Sequence, residues 1–287
     1  MSPTIQEALR WASSLLTTEG RDANAGELLL LHRLRRSRAS LYADFRMPMS
    51  AIDWEWFKQA VKRHVEGIPI QYITGKEFFY GRNFNVSEAV LIPRPETEEL
   101  VEGVLRFRKE QFGAEPVRYA DIGTGSGAIA VTLALEDPKG TVYAVDISGE
   151  AIMVAKENAA RLGATVQFNQ GNLLSPLLES GLTMDILVSN PPYIPKEDIE
   201  GLDVLVKDHE PRLALDGGGD GLDVYRKLCA GLPRVMNRPG LVAFEIGSGQ
   251  GASVSDLLER AFGSAITVSV KKDINRHERM VFGVIKF

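Results

Sequence analysis

The sequence predicts an α/β protein: a doubly wound, seven-stranded sheet with an antiparallel last strand, preceded by a small helical domain and a β-hairpin connector. Two patterns carry this expectation. Beyond Pro116, short apolar runs rich in Val, Ile and Leu alternate with stretches of helical periodicity, as strand–helix–strand units require. Before residue 70, apolar residues recur at helical spacing only. A chain of 287 residues has room for both parts, because domains run to roughly 100 to 200 residues. The expected organisation is a helical domain over 1–70, a hairpin linker over 71–92 and an α/β domain over 93–287.

The first helix is expected over 5–17, where Thr4 and Glu7 form a capping box ahead of Ile5, Ala8, Leu9, Ala12, Leu15 and Leu16. A second runs over 23–34. A third follows the Ser50-x-x-Asp53 cap through Trp54, Phe57, Ala60 and Val61 and stops near Gly67-Ile68-Pro69. Residues 71–92 change to Phe, Tyr, Val and Ile punctuated by Gly75, Gly81 and Asn83, a hairpin pattern. Pro95 and the acids Glu96 and Glu98 then open a helix over 96–112, where the macrodipole favours them. Strands are expected at 117–122, 141–146, 165–169, 184–189, 241–246, 265–270 and 280–286. Residues 271–279 are too few for a crossover helix, so the final strand must lie antiparallel to its neighbours.

Composition excludes several classes. The chain is 44% hydrophobic and 25% charged, and no apolar run approaches the ~20 residues needed to span a bilayer, so a cytoplasmic protein without membrane contact is expected. Cys229 is the single cysteine, and His32, His64, His209 and His277 lack metal-ligand spacing, so no metal site is expected. A net charge of −5 argues against direct nucleic-acid binding. Arg33, Arg35, Arg36, Arg38 and Arg46 form a basic exception, which reads either as a solvated helix end or as a contact surface for an acidic protein or RNA.

Two segments carry chemistry. Asp121-Ile122-Gly123-Thr124-Gly125-Ser126-Gly127 lies between the first sheet strand and a helix, where glycines admit a ligand close to the backbone and the helix start offers free N–H groups. Asp146 ends the next strand, where a carboxylate reaches a ribose diol. These features suit a nucleoside. Gly123, Gly125 and Ala128 also fit a dinucleotide fingerprint, but Asp121 is badly placed beside a pyrophosphate and well placed near an ammonium. S-adenosylmethionine is therefore the expected cofactor. Asn172 reads either as a turn residue or as an acceptor at the adenine edge.

The second segment, Asn190-Pro191-Pro192-Tyr193, directly follows the fourth strand. It reads either as an ordinary proline turn or as a pocket for a planar NH2 group. In the second reading Asn190 and the Pro191 carbonyl accept the two N–H groups, Tyr193 lies against the plane, and the prolines hold the turn rigid. The loop from Asp216 to Gly221 lacks the closing Glu of a calcium loop, since Lys227 stands there, and is expected to be a tight turn near the site.

With these segments the chain resembles the release-factor glutamine methyltransferases, the HemK/PrmC family. The likeness is carried by Gly67-Ile68-Pro69-Ile70-Gln71-Tyr72-Ile73-Thr74-Gly75, by Leu91-Ile92-Pro93-Arg94-Pro95-Glu96-Thr97-Glu98, and by the two segments above. Glu210-Pro211-Arg212-Leu213-Ala214-Leu215 and the glycine-rich run to Arg226 complete it. The resemblance implies a Rossmann-like class I S-adenosylmethionine-dependent methyltransferase sheet. It also implies methylation of the glutamine side-chain nitrogen in the Gly-Gly-Gln loop of class I peptide chain release factors. Gly123 to Gly127 would hold the methionine part, Asp146 the ribose, and Asn190 to Tyr193 the acceptor amide. Asn172 departs from the acid usual at its place. The Asn-Pro-Pro-Tyr turn is shared with methyltransferases of DNA adenine and of ribosomal-protein glutamine, which leaves another NH2 group as the alternative substrate.

Overall fold

The computed structural model describes residues 2–286. The chain divides into a helical unit that extends to Lys76 and includes Asp203–His209, and a sheet unit of Glu77–Leu202 and the residues from Glu210 onward. The elements in the chain are helices α1 (Ile5–Thr18), α2 (Ala25–Leu34), α3 (Arg38–Ala43), α4 (Ala51–Val65) and α5 (Ile70–Thr74), then strands β1 (Lys76–Phe79) and β2 (Arg82–Asn85). There follow α6 (Pro95–Phe112), β3 (Arg118–Ile122), α7 (Ala128–Glu136), β4 (Thr141–Asp146), α8 (Gly149–Leu162), β5 (Val166–Gln170), α9 (Ser175–Ser180) and β6 (Met184–Ser189). The last group is α10 (Val204–Lys207), α11 (Arg212–Leu215), α12 (Asp223–Val235), β7 (Met236–Glu245), α13 (Gly251–Phe262), β8 (Ile266–Lys272) and β9 (Glu278–Ile285). Among the described residues, no helix is long and apolar enough to cross a membrane.

In the helical unit the expected capping box forms, with Thr4 N donating to Glu7 Oε2 at 2.8 Å and Glu7 N to Thr4 Oγ1 at 3.3 Å. The stripe Ile5, Ala8, Ala12 and Leu16 closes a core with Leu29, Leu30, Phe57 and Val61, and Trp11 meets Trp54 edge-on at 5.1 Å. Burying the larger of these side chains stabilises by roughly 1.5 to 3 kcal/mol each, so the stripe and not helix propensity holds these short helices. Three arginines of the basic stretch are paired with acids of the same unit: Arg33 with Asp53 at 2.8 Å, Arg36 with Asp44, and Arg38 with Glu27. Much of that positive charge is therefore spent inside the unit.

The sheet order is β5-β4-β3-β6-β7-β9-β8. Strands β3 to β7 pair in parallel, and β9 inserts between β7 and β8, antiparallel to both. Side-chain alternation sorts the strands into two cores. Tyr119, Ile186, Leu241 and Ala243 pack under α6 and α7, while Ala120, Leu187, Val242 and Phe244 pack under α12 and α13. The order reverses beside β3, so the crevice at the carboxyl ends of β3, β4 and β6 is where a doubly wound sheet binds ligands.

Besides the short helices α10 and α11, which the sequence reading did not expect, the structure differs from it in three places. Residues Ile70–Thr74 are helical, because Gly75 ends the turn at φ 70° and the Thr74 hydroxyl returns to Ile70 O at 3.0 Å; the hairpin strands are accordingly only β1 and β2. The short α3, capped by Ser37, lies in the arginine-rich stretch where no helix was expected. Strand β7 begins at Met236, upstream of the predicted 241.

Candidate active site

The loop after β3 is tied to the end of β4. Gly123 N and Thr124 N donate to Val145 O at 2.8 and 3.0 Å, and Gly125 N donates to Asp146 Oδ2 at 2.8 Å. Ser148 N occupies the other carboxylate oxygen at 2.9 Å. Asp146 is thus fixed by two backbone donors, and burial pushes its carboxyl above the ordinary value. Gly127 caps α7 at φ 79°, and a Cβ there would stand 3.0 Å from Ala155 Cβ, so only glycine lets α7 start against α8.

A cleft of about 500 Å³ opens at these strand ends. Of the cofactor residues read from sequence, Gly123, Thr124, Gly125, Ser126, Asp146 and Asn172 border it. Asn172 also starts the turn into α9, its carbonyl accepting from Ser175 N at 3.1 Å. Asp121 and Gly127 stand behind the wall. Asp121 is fully buried, with Oδ2 accepting from the Thr124 hydroxyl at 2.6 Å and from Ala130 N at 3.1 Å, while Oδ1 is buried and unpartnered. Burial pushes its carboxyl up to about 7.

Asn190 and Pro192 border the same cleft. The turn is anchored at its base by Ser189, whose hydroxyl donates to Ile122 O at 2.6 Å and ties the end of β6 to β3. Asn190 Nδ2 donates to Thr97 Oγ1 at 3.3 Å, and Thr97 Oγ1 donates to Glu245 Oε2 at 2.6 Å. Glu245 is 2% exposed, and burial raises its carboxyl to about 7. Pro191 is buried, and the half-buried Tyr193 ring packs against the core beneath α12; neither borders the cleft. Burial pushes the Tyr193 hydroxyl up to about 12.

The backbone of the turn is clamped from behind. Gln250 Nε2 donates to Tyr193 O at 3.0 Å, Ile194 N to Leu215 O at 3.1 Å, and Gly217 N to Ile194 O at 2.9 Å. A Cβ on Gly217 would lie 2.8 Å from Tyr193 Cα, so the glycine-rich loop can close onto the turn only without a side chain. Arg94 pairs with the buried Glu210, joining the segment before α6 to the segment before α11.

Sequence reasoning missed Thr97, Glu245, Gln250 and Glu210. A signal existed for three of them: Thr97 and Glu210 lie in segments that carry the family resemblance, and Glu245 is a lone acid ending the apolar run Leu241 to Phe244. Buried acids of that kind are paired or functional.

The sheet order, the cleft at its reversal and the amide turn beside it define the class I S-adenosylmethionine-dependent methyltransferase fold. A structure described as a methyltransferase from Pyrococcus furiosus matches with TM-score 0.51 at 18% identity, covering 72% of this chain and 91% of that one, a likeness of fold. A family model described as the PrmC N-terminal domain matches residues 7–75, and one described as the methyltransferase small domain matches 107–218. A release factor glutamine methyltransferase of Bacillus anthracis is 55% identical over 282 residues, covering 98% of this chain and 99% of that protein. Its namesake in Bacillus subtilis is 50% identical, covering 98% of both. The chain belongs to the release factor glutamine methyltransferase family.

Proposed function

We propose that this protein transfers a methyl group from S-adenosylmethionine to the side-chain amide nitrogen of the glutamine in the Gly-Gly-Gln motif of class I peptide chain release factors. The carrying observation is Asn190, whose amide borders the nucleoside cleft while its nitrogen is turned toward Thr97. An amide held that way offers its oxygen to an NH2 donor. S-adenosylmethionine supplies the activated methyl on a sulfonium. The residues fitted to hold it are Gly123, Thr124, Gly125 and Ser126 beside its amino-acid part, Asp146 at its ribose and Asn172 at its adenine edge. The substrate is assigned to Asn190 at the cleft wall and to the backbone carbonyl of the adjoining, buried Pro191 as acceptors, with Pro192 and Tyr193 keeping the turn in place. The helical unit serves as the docking element for the release factor, and the site of action is the cytoplasm.

A carboxamide nitrogen is a weak nucleophile because its lone pair is delocalised. Two fixed acceptors orient the NH2 so that the lone pair faces the methyl group. As the nitrogen gains positive charge its N–H groups donate more strongly, so the same acceptors bind the transition state better than the ground state. No strong base is required before transfer, since the cationic product loses its proton readily. The test is to incubate the protein with methyl-labelled S-adenosylmethionine and intact release factor, and to locate the label by mass spectrometry. Label on the glutamine nitrogen, lost when that glutamine is replaced, is the expected result; label elsewhere would refute the assignment.

Asp121 stands behind the wall formed by Gly123 to Ser126, where its charge would act on a cofactor ammonium through that loop, and a pH dependence follows. A carboxyl raised to about 7 is mostly protonated at pH 6 and mostly ionised at pH 7.5, and only the ionised form attracts a cation. Cofactor affinity measured by calorimetry is therefore expected to rise by roughly fivefold from pH 6 to 7.5, a gain of about eightfold in ionised Asp121 offset in part by the onset of α-amino deprotonation. Asp121→Asn should flatten that rise. A flat wild-type profile would remove Asp121 from the cofactor's surroundings.

A further inference from the structure

We propose that Thr97 and Glu245 are positioning residues for methyl transfer, holding the Asn190 amide with its nitrogen turned inward and its oxygen toward the acceptor. The inference rests on the reading of Asn190 as the group that accepts from the substrate NH2. The oxygen and nitrogen of an amide are nearly equal in shape, so packing alone does not choose between the two rotamers. The wrong one would present a donor to a substrate nitrogen that itself carries two donors.

Hydrogen-bond polarity makes the choice. Thr97 has one hydroxyl hydrogen, and Glu245 Oε2 accepts it at 2.6 Å. Above about pH 7 Glu245 is mostly ionised, and a carboxylate has acceptors only. Thr97 Oγ1 is then left with lone pairs alone, so Asn190 must turn Nδ2 toward it, as it does at 3.3 Å. Glu245 sits where it can hold this direction. It is 2% exposed; burial and Glu96 oppose its charge, while hydrogen bonds from Thr97 and from Asn190 itself, together with Arg279, favour it. The carboxylate therefore draws the amide nitrogen inward directly as well as through Thr97. Tyr193 stands close by, and the Tyr225 hydroxyl donates to the Glu245 backbone carbonyl at 2.6 Å, fixing the end of β7. A neutral amide in place of Glu245 would break the polarity, because it can donate to Thr97 and release the threonine hydrogen toward the Asn190 oxygen.

The experiment compares Thr97→Val, Thr97→Ser, Glu245→Gln and the double variant Thr97→Val/Glu245→Gln on intact release factor at pH 8 and saturating cofactor. Thr97→Val and Glu245→Gln should each lower kcat roughly tenfold, the scale of one hydrogen bond, with cofactor affinity by calorimetry unchanged. Thr97→Ser should retain activity, because it keeps the hydroxyl and loses only a methyl group. The double variant should be no slower than the worse single one, since both act through one rotamer. Thr97 also borders the cleft, and Glu245 does not, so a direct substrate contact by Thr97 would leave Glu245→Gln active. Loss of activity in Thr97→Ser equal to that in Thr97→Val, multiplicative defects in the double variant, or wild-type kcat in Glu245→Gln would each overturn the inference. Full activity in Asn190→Ala would instead remove the reading beneath it.

Discussion

Replacing Asn190 with alanine is expected to lower kcat by roughly 10² to 10³, equivalent to about 2.7 to 4 kcal/mol of transition-state stabilisation. The loss falls on the chemical step because the acceptor oxygen gains strength only as the substrate nitrogen becomes cationic. Asn190 also borders the cofactor cleft, so a fall in cofactor affinity of up to about tenfold, the scale of one neutral hydrogen bond, should accompany it. Folding should survive. The removed amide bonds Thr97 at the long distance of 3.3 Å and also reaches the Glu245 carboxylate, while the turn is held independently by Ser189, Gln250 and Gly217. Single-turnover transfer to intact release factor, with thermal unfolding measured in parallel, checks both parts. A variant that turns over within a few-fold of the parent would leave the amide without a role.

Much of the sheet unit was legible because its rules are local. Most strands announce themselves as short apolar runs rich in β-branched residues, and the few residues between β8 and β9 force an antiparallel pair whatever else the chain does. The hairpin was read as too long because Tyr72 and Ile73 look like strand residues, whereas the Thr74 hydroxyl and the Gly75 stop close one helical turn around them. The arginine stretch illustrates a different limit. Charge density along the chain was visible, but the partners of Arg33, Arg36 and Arg38 come from α4, from the end of α3 and from α2, and only folding brings them together. The site divides the same way. Gly123 to Ser126, Asp146 and Asn190 border the cleft because strand ends and tight turns put them there, which is sequence-local information. The bond from Thr97 to Glu245 spans 148 residues and joins a helix start to a strand end. No spacing rule reports such a pair; only the sheet order, which sets β7 beside β6, brings Glu245 behind the amide turn.

The second large effect concerns a residue that touches neither cofactor nor substrate. Gly221 has φ 77°, and a Cβ there would fall within the van der Waals envelope of Tyr193 O and 2.7 Å from Gln250 Nε2. Alanine at Gly221 therefore incurs a left-handed backbone cost of roughly 1 to 2 kcal/mol and overpacking of roughly 1 to 3 kcal/mol. At about 2 to 4 °C per kcal/mol for a chain of this size class, Tm should fall by roughly 5 to 15 °C. The overlap is relieved most directly by moving the Tyr193 carbonyl or Gln250, and either movement loosens the clamp that keeps the preceding Asn-Pro-Pro in register. A displacement near 1 Å at a reacting centre can cost about 10² in rate, so kcat should fall by that order in the fraction that remains folded. Cofactor affinity should hold, because Gly221 is absent from the cleft wall. The neighbouring Gly219→Ala is the control: nothing lies within 4 Å of a Cβ there, so it should leave both Tm and kcat near the parent values. Equal behaviour of the two alanines would mean that the glycine-rich loop does not hold the turn.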